Sequence, residues 1–201
     1  MKISNHILVG ESGENIPFIK SPNHSSGISP VYLIMHYTAG TTLSGTVSWF
    51  QNSQAQASAH LVIDRDGSIV QMVAFNRRAW HAGKSKWGNL EGINNYSIGI
   101  ELVNAGKLKK DASGRWVNWS GKTVPDTEVT IAKHKDEDLE TGWQEYPEVQ
   151  IEAAVAVGAL LHEFYNFTDV LGHDDISPGR KVDPGPLFPL NSFRSIVLGR
   201  A

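Results

Sequence analysis

The sequence predicts a mixed α/β fold in a single domain, with a central mixed β-sheet flanked by helices. Three observations lead there. Val31 to Met35 is a continuous apolar run, as expected of a strand buried on both faces. Ser97 to Val103 alternates, with Ile98, Ile100 and Leu102 on one side and Gly99 and Glu101 on the other. Pro147, placed at the first helical position, opens a segment in which Ile151, Ala154, Val155, Gly158, Leu161 and Tyr165 recur at helical spacing. Strands interspersed with helices pack as a sheet covered on its faces by those helices.

The remaining elements follow from local signals. Leu43, Val47 and Phe50 recur at helical spacing behind Thr41 and Thr42, either of which can cap a helix start. Ala59 to Ala74 reads as a hairpin, in which Leu61 to Ile63 and Ile69 to Val73 flank the tight-turn pair Asp66-Gly67. A short strand, Asp169 to Leu171, leads into a loop of His, Asp, Gly and Pro. The stretch from about Ala105 to Gln144 is polar and irregular, too long for a plain connector, and reads as an elaborated loop or lid. With no repeat and no linker, residues 1–201 are assigned to one domain.

Composition narrows the function. The 201 residues are 40% hydrophobic and 19% charged, which is globular rather than disordered. A net charge of -3 without a basic stripe argues against a nucleic-acid partner. There is no cysteine, so a metal would have to be held by His and carboxylates. No segment approaches the roughly 18 apolar residues of a membrane span. Met1 to His6 lacks the apolar run of a secretory signal, and Glu11 and Glu14 follow; the expectation is a cytoplasmic protein as synthesised.

Chemistry-bearing residues concentrate in two places. His36 ends the apolar strand, and sites in open α/β sheets lie beyond the carboxyl ends of strands. Gly172 to Pro186 is a dense block of potential ligands, including His173, Asp174, Asp175, Lys181 and Asp183, on a chain stiffened by Pro and Gly. Taken singly, His36 reads equally as a structural histidine and the block as a solvated loop. Neither the His-Glu-x-x-His of thermolysin-like proteases nor the Gly-x-Ser-x-Gly of serine hydrolases occurs.

Several segments occur together in a telling order: Met35-His36-Tyr37-Thr38, Ser58-Ala59-His60-Leu61-Val62-Ile63, Trp80-His81-Ala82-Gly83, Asn95-Tyr96-Ser97-Ile98-Gly99-Ile100-Glu101-Leu102, and the block from His173 to Pro186. In these the chain resembles the family-2 N-acetylmuramoyl-L-alanine amidases, relatives of phage amidase endolysins and peptidoglycan recognition proteins. The resemblance spans roughly residues 31–188. It implies a zinc cleft at the strand ends, with one Zn2+ held by His36, His173 and Asp183. It implies Glu101 as general base and Lys181 as the donor that stabilises the oxyanion. It further implies Trp80, His81 and Asn95 as substrate contacts. His60 is read as structural, His162 as helix packing, and His6, His24 and His134 as surface residues.

The implied substrate is the amide between the muramic acid lactyl group and L-alanine, in peptidoglycan or muropeptides. The rival reading is a recognition module that shares the fold without catalysis; the full ligand set with Glu101 and Lys181 argues against it. Two settings fit an amidase, a cytoplasmic recycling enzyme for anhydro-muropeptides or a phage endolysin, and compactness favours the first. A monomer is expected.

Overall fold

The chain, seen in a computed structural model that describes residues 1–10 and 16–200, is built on one five-stranded sheet. Glu11 and Glu14 lie outside the described residues. The strands are β1 (Tyr32–Tyr37), β2 (Leu61–Ile63), β3 (Ile69–Gln71), β4 (Ser97–Leu102) and β5 (Asp169–Gly172), in the spatial order β5-β1-β4-β2-β3. β5, β1, β4 and β2 run parallel, and β3 returns antiparallel to β2 through the turn at Asp66-Gly67. The mixed α/β architecture expected from the sequence is therefore present.

The two faces of the sheet have different duties. On one, Leu33, Met35, Ile98, Ile100, Leu102 and Val170 pack against α2 (Glu148–Tyr165) and α4 (Leu190–Val197) in the largest apolar cluster. Gly158 lets these layers close, because a Cβ there would lie 2.9 Å from Val197 and 3.2 Å from Phe193. On the other face, α1 (Leu43–Gln51) sets Val47 and Phe50 against Val62, Val70 and Met72. Thr42 caps α1, its hydroxyl accepting from the Gly45 N–H at 3.2 Å.

Pro147 is the residue before α2 rather than its first, a shift of one position. The buried stripe of α2 is Gln150, Ala154, Val157, Gly158 and Leu161, with Ile151, Val155 and Tyr165 half-buried at its margin. A buried glutamine replaces an apolar residue for a reason. Its Nε2 donates to the carbonyls of Ile63 and Val103, at 3.0 and 3.1 Å, and so ties α2 to the ends of β2 and β4.

The segment 105–144 is more ordered than its polar composition suggests. It holds two small hairpins, Lys109–Lys110 with Trp116–Val117 and Val129–Lys133 with Glu140–Gln144. Ala105, Leu108 and Val124 form their own apolar cluster, with Trp116 and Val129 against it. The first hairpin's strands are too short for a period-two pattern, and in the second the large apolar Ile131 is exposed, so its alternation marks no buried face.

His60 shows how the sheet treats a buried titratable group. Its Nδ1 accepts from the Gly99 N–H at 3.0 Å, so its Nε2–H donates to the Arg77 carbonyl 2.9 Å away. Burial lowers its pKa to about 4. The unfolded chain, with a histidine near 6.5, binds the proton first as pH falls, so stability is lost between about 6.5 and 4. Urea unfolding across that window is expected to fall more steeply for the natural protein than for His60→Asn, by roughly 3 kcal/mol. Equal slopes would show that His60 is not the group held neutral.

Candidate metal centre and active site

Strand register assembles the site. Within the β1–β4 ladder His36 stands opposite Glu101, and within the β1–β5 ladder Met35 stands opposite Gly172. His173 follows Gly172 directly, so the carboxyl ends of three neighbouring strands deliver His36, Glu101 and His173 to one spot. The site occupies the face opposite α2 and α4, since His36 alternates with Leu33 and Met35, and Glu101 with Ile98 and Ile100.

The ligand-rich block begins as one helical turn, α3 (His173–Ile176), where the sequence suggested a loop throughout. The Asp174 N–H donates to the Asp183 carbonyl at 2.9 Å, which closes the excursion and returns Asp183 beside His173. Tyr146 reinforces the return, its hydroxyl donating to the Pro184 carbonyl at 2.8 Å.

His36 Nδ1, His173 Nδ1 and Asp183 Oδ2 converge. The separations are 2.9 Å between the two nitrogens, 3.0 Å from His36 to the carboxylate and 2.9 Å from His173 to it. All three side chains are buried, and they are the one group of His and acidic residues among the described residues whose donor atoms gather this closely. Burial, helped by the neighbouring His173, lowers the His36 pKa to about 4, so its imidazole is neutral at neutral pH. Burial pushes the Asp183 carboxyl up, but the closeness of His173 and His36 outweighs it and leaves its pKa lowered.

The donor set fits a cation. Two imidazole nitrogens and a carboxylate, without a thiolate, match the N and O ligands of zinc. Tetrahedral donors at about 2.0–2.1 Å from zinc lie roughly 3.3–3.4 Å apart, so the three need to open by only a few tenths of an ångström.

Glu101 and Lys181 line the same cleft, a cavity of about 990 Å³. Glu101 Oε2 is enclosed and has no hydrogen-bond partner among the described residues, an unusual state for a buried carboxylate. Burial and the Asp183 carboxylate push the Glu101 pKa well up, opposed by Lys181. Trp80 and His81 also border the cleft, whereas Asn95 is exposed and outside its lining. Asn95 Oδ1 accepts from Arg78 at 2.7 Å, and its Nδ2 donates to the Gly92 carbonyl at 2.9 Å.

Other polar residues matter that no motif flagged. Asn94 Oδ1 accepts the backbone N–H groups of both His81 and Ala82, at 3.1 and 2.8 Å. Ser97 Oγ lies 3.2 Å from His81 Nε2. His134, expected at the surface, is 1% exposed. Its Nδ1 accepts from the Asp136 N–H, so its Nε2–H donates to Asp174 Oδ2 at 3.0 Å. Lys135 pairs with both Asp174 and Asp175. These contacts tie the end of the second hairpin to the turn that carries His173. Burial was invisible in the sequence because the partner, Asp174, lies 40 residues away.

Fold and site together define an α/β domain in which three buried side chains that could hold a metal ion gather at the carboxyl edge of its parallel strands. Residues 26–186 match the family described as N-acetylmuramoyl-L-alanine amidase, and the chain belongs to that family. It is 34% identical over 144 residues to the 1,6-anhydro-N-acetylmuramyl-L-alanine amidase AmpD of Escherichia coli (strain K12), covering 71% of this chain and 59% of the relative. The match thus spans under two thirds of that protein's length. A crystal structure of a selenomethionine AmpD derivative superposes with a TM-score of 0.68 at 25% identity, covering 98% of this chain and 99% of that one. The E. coli amidase AmiD, in complex with its substrate anhydro-N-acetylmuramic acid-L-Ala-D-gamma-Glu-L-Lys, gives 0.62 at 26% identity, covering 84% of this chain and 57% of that one.

Two substitutions separate holding a metal from using it. Asp183→Ala removes an anionic donor and is expected to lose bound zinc, read by elemental analysis after gel filtration. Glu101→Gln is expected to keep zinc at the natural stoichiometry. Loss of zinc from Glu101→Gln would place Glu101 among the ligands instead.

Proposed function

We propose that this chain is a zinc-dependent N-acetylmuramoyl-L-alanine amidase, a hydrolase that cuts the amide between the muramic acid lactyl group and L-alanine in muropeptides. The observation that carries this reading is the convergence of His36, His173 and Asp183 in one cleft with Glu101, whose inner oxygen is unpartnered. Those three side chains would hold a zinc ion, which would supply Lewis acidity toward water and the scissile carbonyl.

The remaining work falls to the chain's own residues. Glu101 takes the proton of the attacking water and returns it to the departing L-alanine nitrogen, a role in keeping with its raised pKa and unpartnered oxygen. Lys181 borders the same cleft, where its ammonium donates to the oxygen that gains charge as water adds. Trp49, Trp80 and Trp119 offer aromatic faces for sugar or peptide, and Lys109 and Lys122 offer cations for stem-peptide carboxylates. Trp119 is 75% exposed, yet its indole N–H donates to the Ala39 carbonyl at 3.0 Å, so its ring is held in place rather than free.

The substrate class we favour is the soluble anhydro-muropeptide handled in the cytoplasm during wall recycling. Support comes from the relative named for the 1,6-anhydro sugar and from the AmiD complex. Residues 1–201 act in this reading as one amidase domain, with 105–144 forming one wall of its cleft.

A defined anhydro-muropeptide tests the proposal. Free stem peptide beginning with L-alanine is expected, faster from the soluble substrate than from intact sacculi. Lys181→Ala is expected to lower kcat by about 10²- to 10³-fold with little change in KM. Binding without cleavage would indicate a recognition module, and a preference for sacculi would favour the endolysin setting.

A further inference from the structure

Trp80 and His81 border the cleft, but both ring nitrogens of His81 are engaged away from it. His36 Nε2 lies 2.9 Å from His81 Nδ1, and His81 Nε2 lies 3.2 Å from Ser97 Oγ. Ser97 Oγ in turn lies 2.8 Å from the Ile93 carbonyl. The chain ends on that carbonyl, and a carbonyl can only accept.

That end decides every hydrogen inward. Ser97 has a single hydroxyl hydrogen, which it donates to Ile93 O, so toward His81 it accepts. His81 therefore carries its hydrogen on Nε2 and leaves Nδ1 bare. A bare His81 Nδ1 accepts, so His36 donates from Nε2–H. A neutral imidazole holds one ring hydrogen, so His36 Nδ1 is left with a free lone pair facing His173 and Asp183.

The next residue does the same for the second histidine. His173 Nε2 lies 3.0 Å from the Ala82 carbonyl, which again can only accept, so His173 Nδ1 is bare as well. Arg180 Nη2 is 3.3 Å from His173 Nε2, but its two hydrogens have nearer acceptors in Ala82 O, Lys84 O and Ser177 Oγ, each 2.7 Å away. The backbone of His81 and Ala82 is itself clamped, both N–H groups donating to Asn94 Oδ1. Room for the His81 ring comes from Gly99 on β4, where a Cβ would sit 2.5 Å from the ring.

We infer that His81 is a positioning residue for the metal centre: with Ala82 it fixes which ring nitrogen of His36 and His173 is free to bind the ion. This rests on the metal reading above. The short turn from Ile93 to Ser97 is the outer wall of the same device, since it holds the His81 ring through Ser97 and the His81-Ala82 backbone through Asn94. Partners of this kind orient ligands and raise their basicity, and losing one weakens metal affinity by roughly 10- to 100-fold.

Asn and Leu are close in size and branch at the same atom, but only Asn places an acceptor where His81 Nδ1 stands. His81→Leu and His81→Asn therefore empty the same space and differ in the hydrogen bond to His36. Zinc affinity is measured by chelator competition on protein whose fold is checked by circular dichroism. His81→Leu is expected to lose about 10- to 100-fold and His81→Asn to stay within several-fold of the natural protein. Nitrogen NMR of the metal-free protein at neutral pH is expected to find the His36 hydrogen on Nε2. Equal weakening in both variants, or a His36 hydrogen on Nδ1, overturns the inference. A natural protein that binds no zinc would instead sink the metal reading itself.

Discussion

Three donor atoms lie within 3.0 Å of one another, and on the tautomers inferred above two of them are bare imidazole nitrogens beside a carboxylate, an arrangement a protein interior does not tolerate alone. Lone pairs facing lone pairs repel, and burial denies them water. A cation placed among the three would relieve that repulsion. A proton could be shared among the three atoms, but the carbonyls of Ile93 and Ala82 draw the ring hydrogens of both histidines to the far nitrogens.

The parallel sheet supplies the precision. β1, β4 and β5 end side by side, and their register sets His36 against Glu101 with His173 one residue beyond the β5 ladder. β4 contributes three successive residues on the site face, each with a separate task. Ser97 anchors the His81 ring, Gly99 vacates the space that ring fills, and Glu101 projects a carboxylate into the cleft. The opposite face of the same strand is wholly apolar and binds the sheet to α2 and α4, so stability and chemistry are separated by the pleat. On the far side of the ligand turn, His134 and Lys135 hold Asp174 and Asp175, linking the 105–144 segment to the position of His173.

Much of this was legible in the sequence. The apolar run before His36, the alternation around Glu101 and the stripe of α2 each reported the environment of their own element, and local pattern suffices for that. The convergence of His36, His173 and Asp183 was reached through family resemblance, because 137 residues separate the two histidines and no periodicity spans such a gap. Illegible were features set by a distant partner. Gln150 sits in an apolar stripe because its amide reaches the backbone carbonyls at the ends of two strands. His134 is buried because Asp174 receives it. Asn94 holds the His81-Ala82 backbone, a contact its neighbour Asn95 does not share. Within 105–144 the Arg115 to Trp119 run reads either as a cleft border or as one side of a hairpin, and the second hairpin is masked because its Ile131 faces solvent.

A crystal of the zinc-loaded protein, measured at the zinc absorption edge, tests the central claim most directly. The account predicts one anomalous peak per chain, bonded at about 2.0–2.2 Å to His36 Nδ1, His173 Nδ1 and an Asp183 oxygen, with both Nε2 atoms still on their outer partners. A peak at Nε2 of either histidine, or zinc bound elsewhere with this pocket closed, would contradict it.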